Sequence, residues 1–141
     1  MPAAPTTQVR TFHLNAPVAR VFPLFTAQGE RAWAPGWEPR ILSGSEERGS
    51  AFITSTRDGA TVTWIVTDYR PAEGRVSYAR LVQDSNIGIV DVACAEAADG
   101  GTDEMEIGSP GGRHRGGVEF CPAGFEGGKL GLLVEHGGGR P

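Results

Sequence analysis

The sequence has little cysteine and no long apolar run. Cys94 and Cys121 are its only cysteines in 141 residues, which is too few for a disulfide scaffold, and they lack Cys-x-x-Cys spacing. We therefore expect two free thiols. No stretch approaches the roughly 18 apolar residues of a membrane span, and the first residues lack the charged and apolar regions of a signal peptide. These absences predict a soluble, cytoplasmic protein without a membrane partner.

Basic residues are also scarce. Lys and Arg number 13 against 17 Asp and Glu, which gives a net charge of -4. A nucleic-acid surface usually carries a basic stripe or patch, so no nucleic-acid partner is expected. The stretch Arg113-His-Arg-Gly-Gly117 resembles an RGG-type segment, but a single copy in an acidic chain is better explained as chance.

The common catalytic and cofactor motifs are missing. The sequence contains no phosphate loop, no Gly-x-Gly-x-x-Gly after a strand, no His-Glu-x-x-His and no Gly-x-Ser-x-Gly. The histidines His13, His114 and His136 are far apart, and no carboxylate or cysteine lies at a metal-ligand spacing from His13. The sequence therefore implies no metal and no cofactor, and catalytic residues stay unknown.

An alternating segment followed by a helical repeat opens the chain. Residues 8–15 alternate as a half-buried strand does. Asn15 is predicted to cap a short helix that has Pro17 in its first turn, and Pro23 should kink or end that helix near Phe22. The apolar residues of the helix are spaced along one face: Val18, Val21, Phe22 and Phe25.

Six further segments predict antiparallel strands, because each is short, rich in Val, Ile, Thr and aromatic residues, and bounded by turn residues. Asp58-Gly59 indicates a hairpin with a type I′ turn, since both residues tolerate positive φ. The segments cover 40–42, 50–57, 61–69, 75–82, 87–96 and 102–107.

Aromatic residues indicate one apolar face. Trp33 and Trp37 lie in a loop rich in Pro and Gly, and their rings are expected to form a wall of a core or a pocket. Trp64 shares one face of the longest strand with two valines, and Tyr78 of the next strand is expected beside it.

The composition changes from Gly108 onward. Twelve of the 21 glycines follow that point, and each would cost a helix about 1 kcal/mol relative to Ala. We therefore predict two parts: a folded domain over 8–107 and a Gly-rich, mostly disordered tail over 108–141.

Four segments carry a resemblance to a known superfamily: Leu14-Asn-Ala-Pro17, Val21-Phe-Pro-Leu-Phe25, Glu30-Arg-Ala-Trp-Ala-Pro-Gly-Trp-Glu-Pro39 and Val62-Thr-Trp64. Together they resemble the SRPBCC superfamily, which includes START domains, Bet v 1 and polyketide cyclase-like proteins, and the third segment is similar to a motif of small bacterial members. The resemblance covers 9–107. It implies an α+β helix-grip fold, in which a curved antiparallel sheet surrounds an apolar pocket.

The resemblance also implies a long C-terminal helix across the concave face of the sheet, and the sequence shows no candidate for it. A frameshift near residues 103–110 would explain such a tail, and an intact helix encoded in another frame would support that hypothesis. Without the helix, a concave face bearing Trp64 and Tyr78 would be an apolar patch larger than monomers usually expose. A homodimer through this uncovered face would relieve the exposure.

The function that the resemblance implies is binding of a small hydrophobic or aromatic molecule. Two alternatives remain: a polyketide cyclase/dehydratase-like enzyme, if Asp68 or Asp91 faces the pocket as an acid or base, and a protein-partnering domain resembling the activator of Hsp90 ATPase. Arg80 lies either at the surface or in the cavity beside an acidic ligand group. The expected wall residues are Trp33, Trp37, Phe52, Trp64, Val66, Tyr78 and Val90.

Overall fold

The computed structural model of the protein describes residues 7–34, 36–56 and 58–112. Seven strands make up most of it: β1 Gln8–Leu14, β2 Arg40–Ser43, β3 Ala51–Ser55, β4 Thr61–Arg70, β5 Arg75–Val82, β6 Asn86–Glu96 and β7 Thr102–Gly112. They form one antiparallel sheet in the order β1-β7-β6-β5-β4-β3-β2. The first strand therefore pairs with the last, and the remaining strands follow as a meander.

The N-terminal helical segment is short, as Pro23 predicts. Helix α1 covers Val18–Val21, and the chain tightens into a 3-10 turn at Phe22–Phe25, because proline removes a helical donor and crowds the preceding turn. The predicted Asn15 cap is wrong. Pro17 takes the N-cap position without a side-chain hydrogen bond, and its carbonyl accepts the amides of Arg20 and Val21 at 2.9 and 3.1 Å.

A second 3-10 turn, Gly29–Ala32, packs closely on the first. Thr26 joins the two, since its hydroxyl donates to the Pro23 carbonyl at 2.7 Å and accepts from the Gly29 amide at 3.2 Å. A Cβ at Gly29 would lie 1.8 Å from the Pro23 oxygen, which no side chain tolerates. Glycine is therefore required here, and it fixes the position of Glu30.

The hairpin between β3 and β4 is confirmed, but its turn type is not. The Thr56 amide donates to the Ala60 carbonyl at 2.8 Å, and the Gly59 amide donates to the Thr56 carbonyl at 3.0 Å. Gly59 has a φ of 91°, whereas Asp58 does not have a positive φ. A type I′ turn requires positive φ at both central residues, so the prediction of that type is wrong.

The hydrophobic core lies between the concave face of the sheet and the helical turns. Along β4, Val62, Trp64 and Val66 are buried while the intervening residues are exposed, as the alternation predicts. In the β4–β5 ladder Tyr78 pairs with Val66, so it shares their face. The helical turns contribute buried Phe25 and other residues to the same cluster.

The predicted last strand is longer than the sequence pattern indicates, since β7 continues from Ile107 to Gly112. Residues 113–141 lie outside the described part of the chain. The Gly-rich tail, the missing closing helix and the frameshift hypothesis therefore stay predictions, as does the division at residue 107. No helix within the described residues has the length and apolar character needed to cross a membrane.

Candidate functional site

A small cavity lies on the concave face, between the sheet and the helical turns. Its volume is about 10 Å³, which is room for roughly one water molecule. Five strands, β3 to β7, contribute to its wall, and the rest comes from the segment between α1 and β2 that contains the two 3-10 turns. The lining residues are Phe25, Glu30, Trp37, Phe52, Trp64, Tyr78, Val90, Val92 and Glu106.

Four of the aromatic rings that line the cavity contact one another. Phe52 and Trp64, which pair across the β3–β4 ladder, are stacked with centroids 5.7 Å apart. Trp37 meets both rings edge-on at 6.1 and 5.9 Å, and Tyr78 does the same from β5. Edge-on and stacked contacts at these distances are the favoured aromatic geometries. The rings form a continuous aromatic box.

Hydrogen bonds fix the polar atoms of these rings. Trp37 Nε1 donates to the Ala27 carbonyl at 2.7 Å, and Trp64 Nε1 donates to Thr54 Oγ1 at 2.9 Å. The Tyr78 hydroxyl donates to the Phe25 carbonyl at 3.2 Å, and burial raises the pKa of Tyr78 well above its ordinary value. The polar atoms are thus occupied by the protein, and the box offers mainly its apolar ring surfaces.

Five of the seven predicted wall residues line the cavity, and two do not. Trp33 is fully buried but packs edge-on against Phe25 at 5.6 Å and donates from Nε1 to the Leu24 carbonyl at 2.7 Å. Val66 is also buried, beside Tyr78 in a neighbouring crevice that holds no water-sized space. Ligand contact by any of the seven stays a prediction. The five that meet at the cavity are Trp37, Phe52, Trp64, Tyr78 and Val90.

Arg80 lies inside the protein. It pairs with Trp64 in the β4–β5 ladder, is 2% exposed, and has its guanidinium carbon 5.7 Å from the centroid of the Trp64 ring. Its Nη1 donates to Asn86 Oδ1 at 2.7 Å. Arg80 therefore packs as a buried cation against the aromatic box, and its side chain is engaged by the protein.

The two aspartates considered as acids or bases do not line the cavity. Asp68 accepts from Arg70 Nε at 2.9 Å at the surface. Asp91 is exposed on β6 and accepts from the Ser77 hydroxyl at 2.5 Å. The hypothesis that either faces the pocket is wrong, because the strand register places both on the outer face of the sheet.

Three buried glutamates are the functional candidates that the sequence reasoning missed. Glu30, Glu104 and Glu106 are 8%, 1% and 2% exposed, and two of them line the cavity. Paired residues of an antiparallel ladder share a face. Glu104 pairs with Phe12, and Glu106 pairs with Arg10. Both glutamates therefore lie on the same face of the sheet as these two residues of β1. A prediction that β1 pairs with β7 would have placed these two glutamates of β7 on the concave face.

Burial and like charges shift the ionisation of Glu104. Burial is the largest cause that raises the pKa of Glu104 to about 10; the negative charges of Glu106 and Glu30 contribute to this rise, and Arg10 opposes it. Both carboxyl oxygens are buried and have no hydrogen-bond partner among the described residues. At neutral pH the group is therefore a protonated acid inside the sheet.

The concave face is not the open apolar surface that we expected. Trp64 and Tyr78 are only 5% and 6% exposed, and Trp37 covers part of the Trp64 ring. The expectation of an uncovered face at these two residues is wrong. Exposed apolar residues instead lie on the outer face of the sheet: Ile65, Leu81, Ile87 and Ile89.

The described cysteine and histidine do not form a reactive or metal-binding site. Cys94 is a free, buried thiol, and burial raises its pKa to about 12, so it is a poor nucleophile. His13 lies at the surface between Asp99 and Asp103. Among the described residues, no group of three or more His, Cys, Asp or Glu side chains is arranged to hold a metal ion.

Comparison with known proteins identifies the fold. No protein-family model and no curated protein matches the chain. The structure of Ara h 8.0201 matches 82% of this chain and 83% of its own, with a TM-score of 0.64 and 14% identity. This is a Bet v 1-like fold.

Two further solved structures share the Bet v 1-like fold. A protein from Nitrosospira multiformis is 16% identical, with a TM-score of 0.66 over 82% of this chain and 85% of its own. Norcoclaurine synthase from Thalictrum flavum is 8% identical, with a TM-score of 0.61 over 77% and 72%. At these identities the likeness shows the fold alone, which is the Bet v 1-like helix-grip architecture.

Proposed function

We propose that this protein binds a small hydrophobic or aromatic molecule at the concave face of its sheet. The observation that carries the proposal is the aromatic box of Trp37, Phe52, Trp64 and Tyr78 around a cavity. Its rings have their polar atoms satisfied by the protein, so a molecule between them would meet apolar surface. Ligand sites are typically lined by hydrophobic and aromatic side chains with a few polar groups.

Binding requires the cavity to open. Small-molecule pockets usually have volumes of about 300 Å³ or more, whereas this cavity has about 10 Å³. Trp37 is the wall residue that can move, since it lies between the second 3-10 turn and β2 and not within the hydrogen-bonded sheet. Its ring is held by one hydrogen bond to the Ala27 carbonyl and by edge contacts. We therefore expect outward rotation of Trp37 to admit the ligand.

Titration with the fluorescent apolar probe N-phenyl-1-naphthylamine tests this proposal. Val90 and Ile89 are neighbours on β6, with Val90 at the cavity and Ile89 exposed on the outer face. Val90→Phe places a ring in the cavity and should weaken probe binding by about tenfold or more. Ile89→Phe adds the same ring outside and should leave binding unchanged.

The two variants separate the concave site from the apolar outer face. Equal affinities of wild type and Val90→Phe, or loss of binding in Ile89→Phe, would overturn the proposal. Because overpacking a core costs about 1–3 kcal/mol, circular dichroism must show that Val90→Phe is folded. Val90→Leu adds less volume and should weaken binding in the same direction.

Acid–base catalysis is the second candidate, and one observation favours it. Glu30 and Glu106 are buried and line the cavity, where a carboxyl group can exchange protons with a bound molecule. Such an enzyme would resemble the polyketide cyclase/dehydratases. Mass spectrometry of a retained ligand before and after incubation tests this candidate: a change in mass that Glu106→Gln abolishes would support catalysis, and an unchanged ligand would contradict it.

The remaining expectations stay predictions. They are a homodimer, a protein-partnering role like that of the activator of Hsp90 ATPase, the absence of a nucleic-acid partner, a bacterial origin and a cytoplasmic location. Sedimentation of the purified chain would test the homodimer directly.

A further inference from the structure

The outer face of the sheet carries exposed apolar side chains on its central strands. An antiparallel sheet with one solvated face normally alternates apolar and polar residues along each strand. On β4, β5 and β6, large apolar residues lie on the outer face as well as on the concave one. Four of them are between 41% and 58% exposed, and we call them the outer patch: Ile65, Leu81, Ile87 and Ile89.

The strand register makes the outer patch continuous. Leu81 pairs with Ile87 across the β5–β6 ladder, and two residues earlier on β5 Ala79 pairs with Ile89. Ile65 on β4 pairs with the same Ala79 from the other side. Cross-strand partners on one face of a sheet have their Cβ atoms about 5 Å apart, so these side chains adjoin. Contiguous exposed apolar patches commonly mark interaction surfaces.

Both signs of charge lie beside the outer patch. Arg75 on β5 and Asp91 on β6 are exposed and line one groove on the outer face, together with two further carboxylates and one further guanidinium group. Asp91 accepts from the Ser77 hydroxyl, and Arg75 forms no ion pair with another described residue. An anionic lipid surface attracts basic segments, whereas a second copy of this chain would match a rim of mixed charge.

We propose that the outer patch is an interface between two copies of the chain, related by a two-fold axis that runs parallel to the strands between β5 and β6. Sheets that pack face to face keep their strand directions within about 30° of each other. This axis lays β5 of each copy over β6 of its partner. Leu81 then faces Ile87 of the partner subunit, and the small Ala79 faces the larger Ile89 of the partner subunit.

Sedimentation velocity of the full chain over an about hundredfold range of concentration tests this interface. Leu81→Glu should raise the dissociation constant of the dimer at least about tenfold, because a carboxylate would be buried against apolar side chains of the partner. Leu42→Glu is the matched control, since Leu42 is 53% exposed on the edge strand β2, and it should leave dimerisation unchanged. Ile87→Glu alters the most exposed residue of the outer patch and should act like Leu81→Glu, which keeps the test valid if Leu81→Glu folds poorly.

Charge reversal tests the two-fold arrangement. The same axis brings Arg75 of each copy toward Asp91 of the partner subunit, and symmetry forms this pair twice. Arg75→Asp alone and Asp91→Arg alone should each raise the dissociation constant by about fivefold or more, because like charges would then meet. An equimolar mixture of the two variants should dimerise as tightly as wild type, since both pairs of the mixed dimer again have opposite charges.

Three outcomes would overturn the proposal. A wild-type chain that sediments as a monomer at every concentration would leave the outer patch to a partner of different chemistry. A dimer that persists unchanged in folded Leu81→Glu and Ile87→Glu would place the interface elsewhere. Failure of the mixed charge variants to restore dimerisation would contradict the two-fold axis between β5 and β6. None of these results depends on ligand binding at the concave face.

Discussion

Glu104 lies directly opposite Phe12 in the ladder between β7 and β1. The pairing brings a carboxyl group and an apolar ring to the same, concave face of the sheet. Three residues of other elements interact with Glu104: Glu30, Arg10 and Cys94. Glu106 on the same strand interacts with it as well. Because the folded protein favours the protonated form, the stability of the fold should depend on pH through this group.

Glu104→Gln should flatten the dependence of stability on pH. The pKa of Glu104 is about 10 in the folded protein, above its ordinary value of 4.5. The stabilisation from its protonation is therefore complete below pH 4.5 and is lost as the pH rises toward 10, by up to about 1.4 kcal/mol per pH unit. Urea denaturation at pH 5, 7 and 9 should show the variant becoming more stable than wild type as the pH rises.

The control for that experiment is Glu96→Gln, which removes an exposed carboxylate of β6. Its unfolding free energy should follow that of wild type at each pH. If Glu104→Gln and Glu96→Gln show the same pH dependence, Glu104 is not a buried, protonated acid.

His13 should titrate above the ordinary range for histidine. Its Nδ1 lies 2.8 Å from Asp103 Oδ1 and its Nε2 lies 2.9 Å from Asp99 Oδ2, and these hydrogen bonds raise the pKa of His13 above 6.5. The stabilisation is therefore present below pH 6.5 and is lost as the pH rises through the folded pKa. Titration of the ring protons by NMR measures the pKa directly.

Asp103→Asn should lower the pKa of His13, because it removes the larger of the two interactions. Asp91→Asn is the matched control, since Asp91 contacts Ser77. An equal effect of both substitutions would show that net charge, and not the hydrogen bond, shifts the pKa of His13.

Trp33 and Trp37 should differ in function although both are buried. Trp33→Phe removes the hydrogen bond to the Leu24 carbonyl and should lower the unfolding free energy by about 1–3 kcal/mol. It should leave probe affinity unchanged, because Trp33 does not line the cavity. Trp37→Phe should change both quantities. Probe titration and urea denaturation of the two variants provide the comparison, and equal changes in affinity would contradict the assignment of Trp37 to the wall.

Gly29→Ala should destabilise the protein more than Gly49→Ala. A methyl group at Gly29 would collide with the Pro23 carbonyl, whereas Gly49 has open space but a φ of 91°. The second substitution should therefore cost only the roughly 1–2 kcal/mol of a left-handed backbone. Thermal denaturation of both variants would test the difference, and equal melting temperatures would contradict the close packing of the two 3-10 turns.

The sequence was sufficient to predict most of the fold. The alternation around Trp64 is strong because every second residue of β4 is apolar, and the effect of Pro23 on α1 follows from its missing amide. These are local signals, since each depends on residues adjacent in the chain. Trp64 and Phe52 both line the cavity, and their contact with a ligand stays a prediction.

The acidic part of the site could not be predicted in the same way. Alternation along β7 would favour Met105 and Ile107 as the inward residues, yet Met105 is 42% exposed and the two glutamates of the strand are buried. The face is set by pairing with β1, about 90 residues away in the chain. Likewise, Trp33 and Trp37 look alike in sequence, and only the folding of the 3-10 turns separates a core residue from a cavity wall.

The most direct test of the binding site uses the indole N–H signals of the chain's three tryptophans. Each signal can be assigned by single substitution to Phe, and propylbenzene can then be added to the ¹⁵N-labelled protein. The account predicts that the signals of Trp37 and Trp64 shift with ligand concentration while that of Trp33 stays in place. Unchanged signals of Trp37 and Trp64 at saturating propylbenzene would contradict binding in the aromatic box.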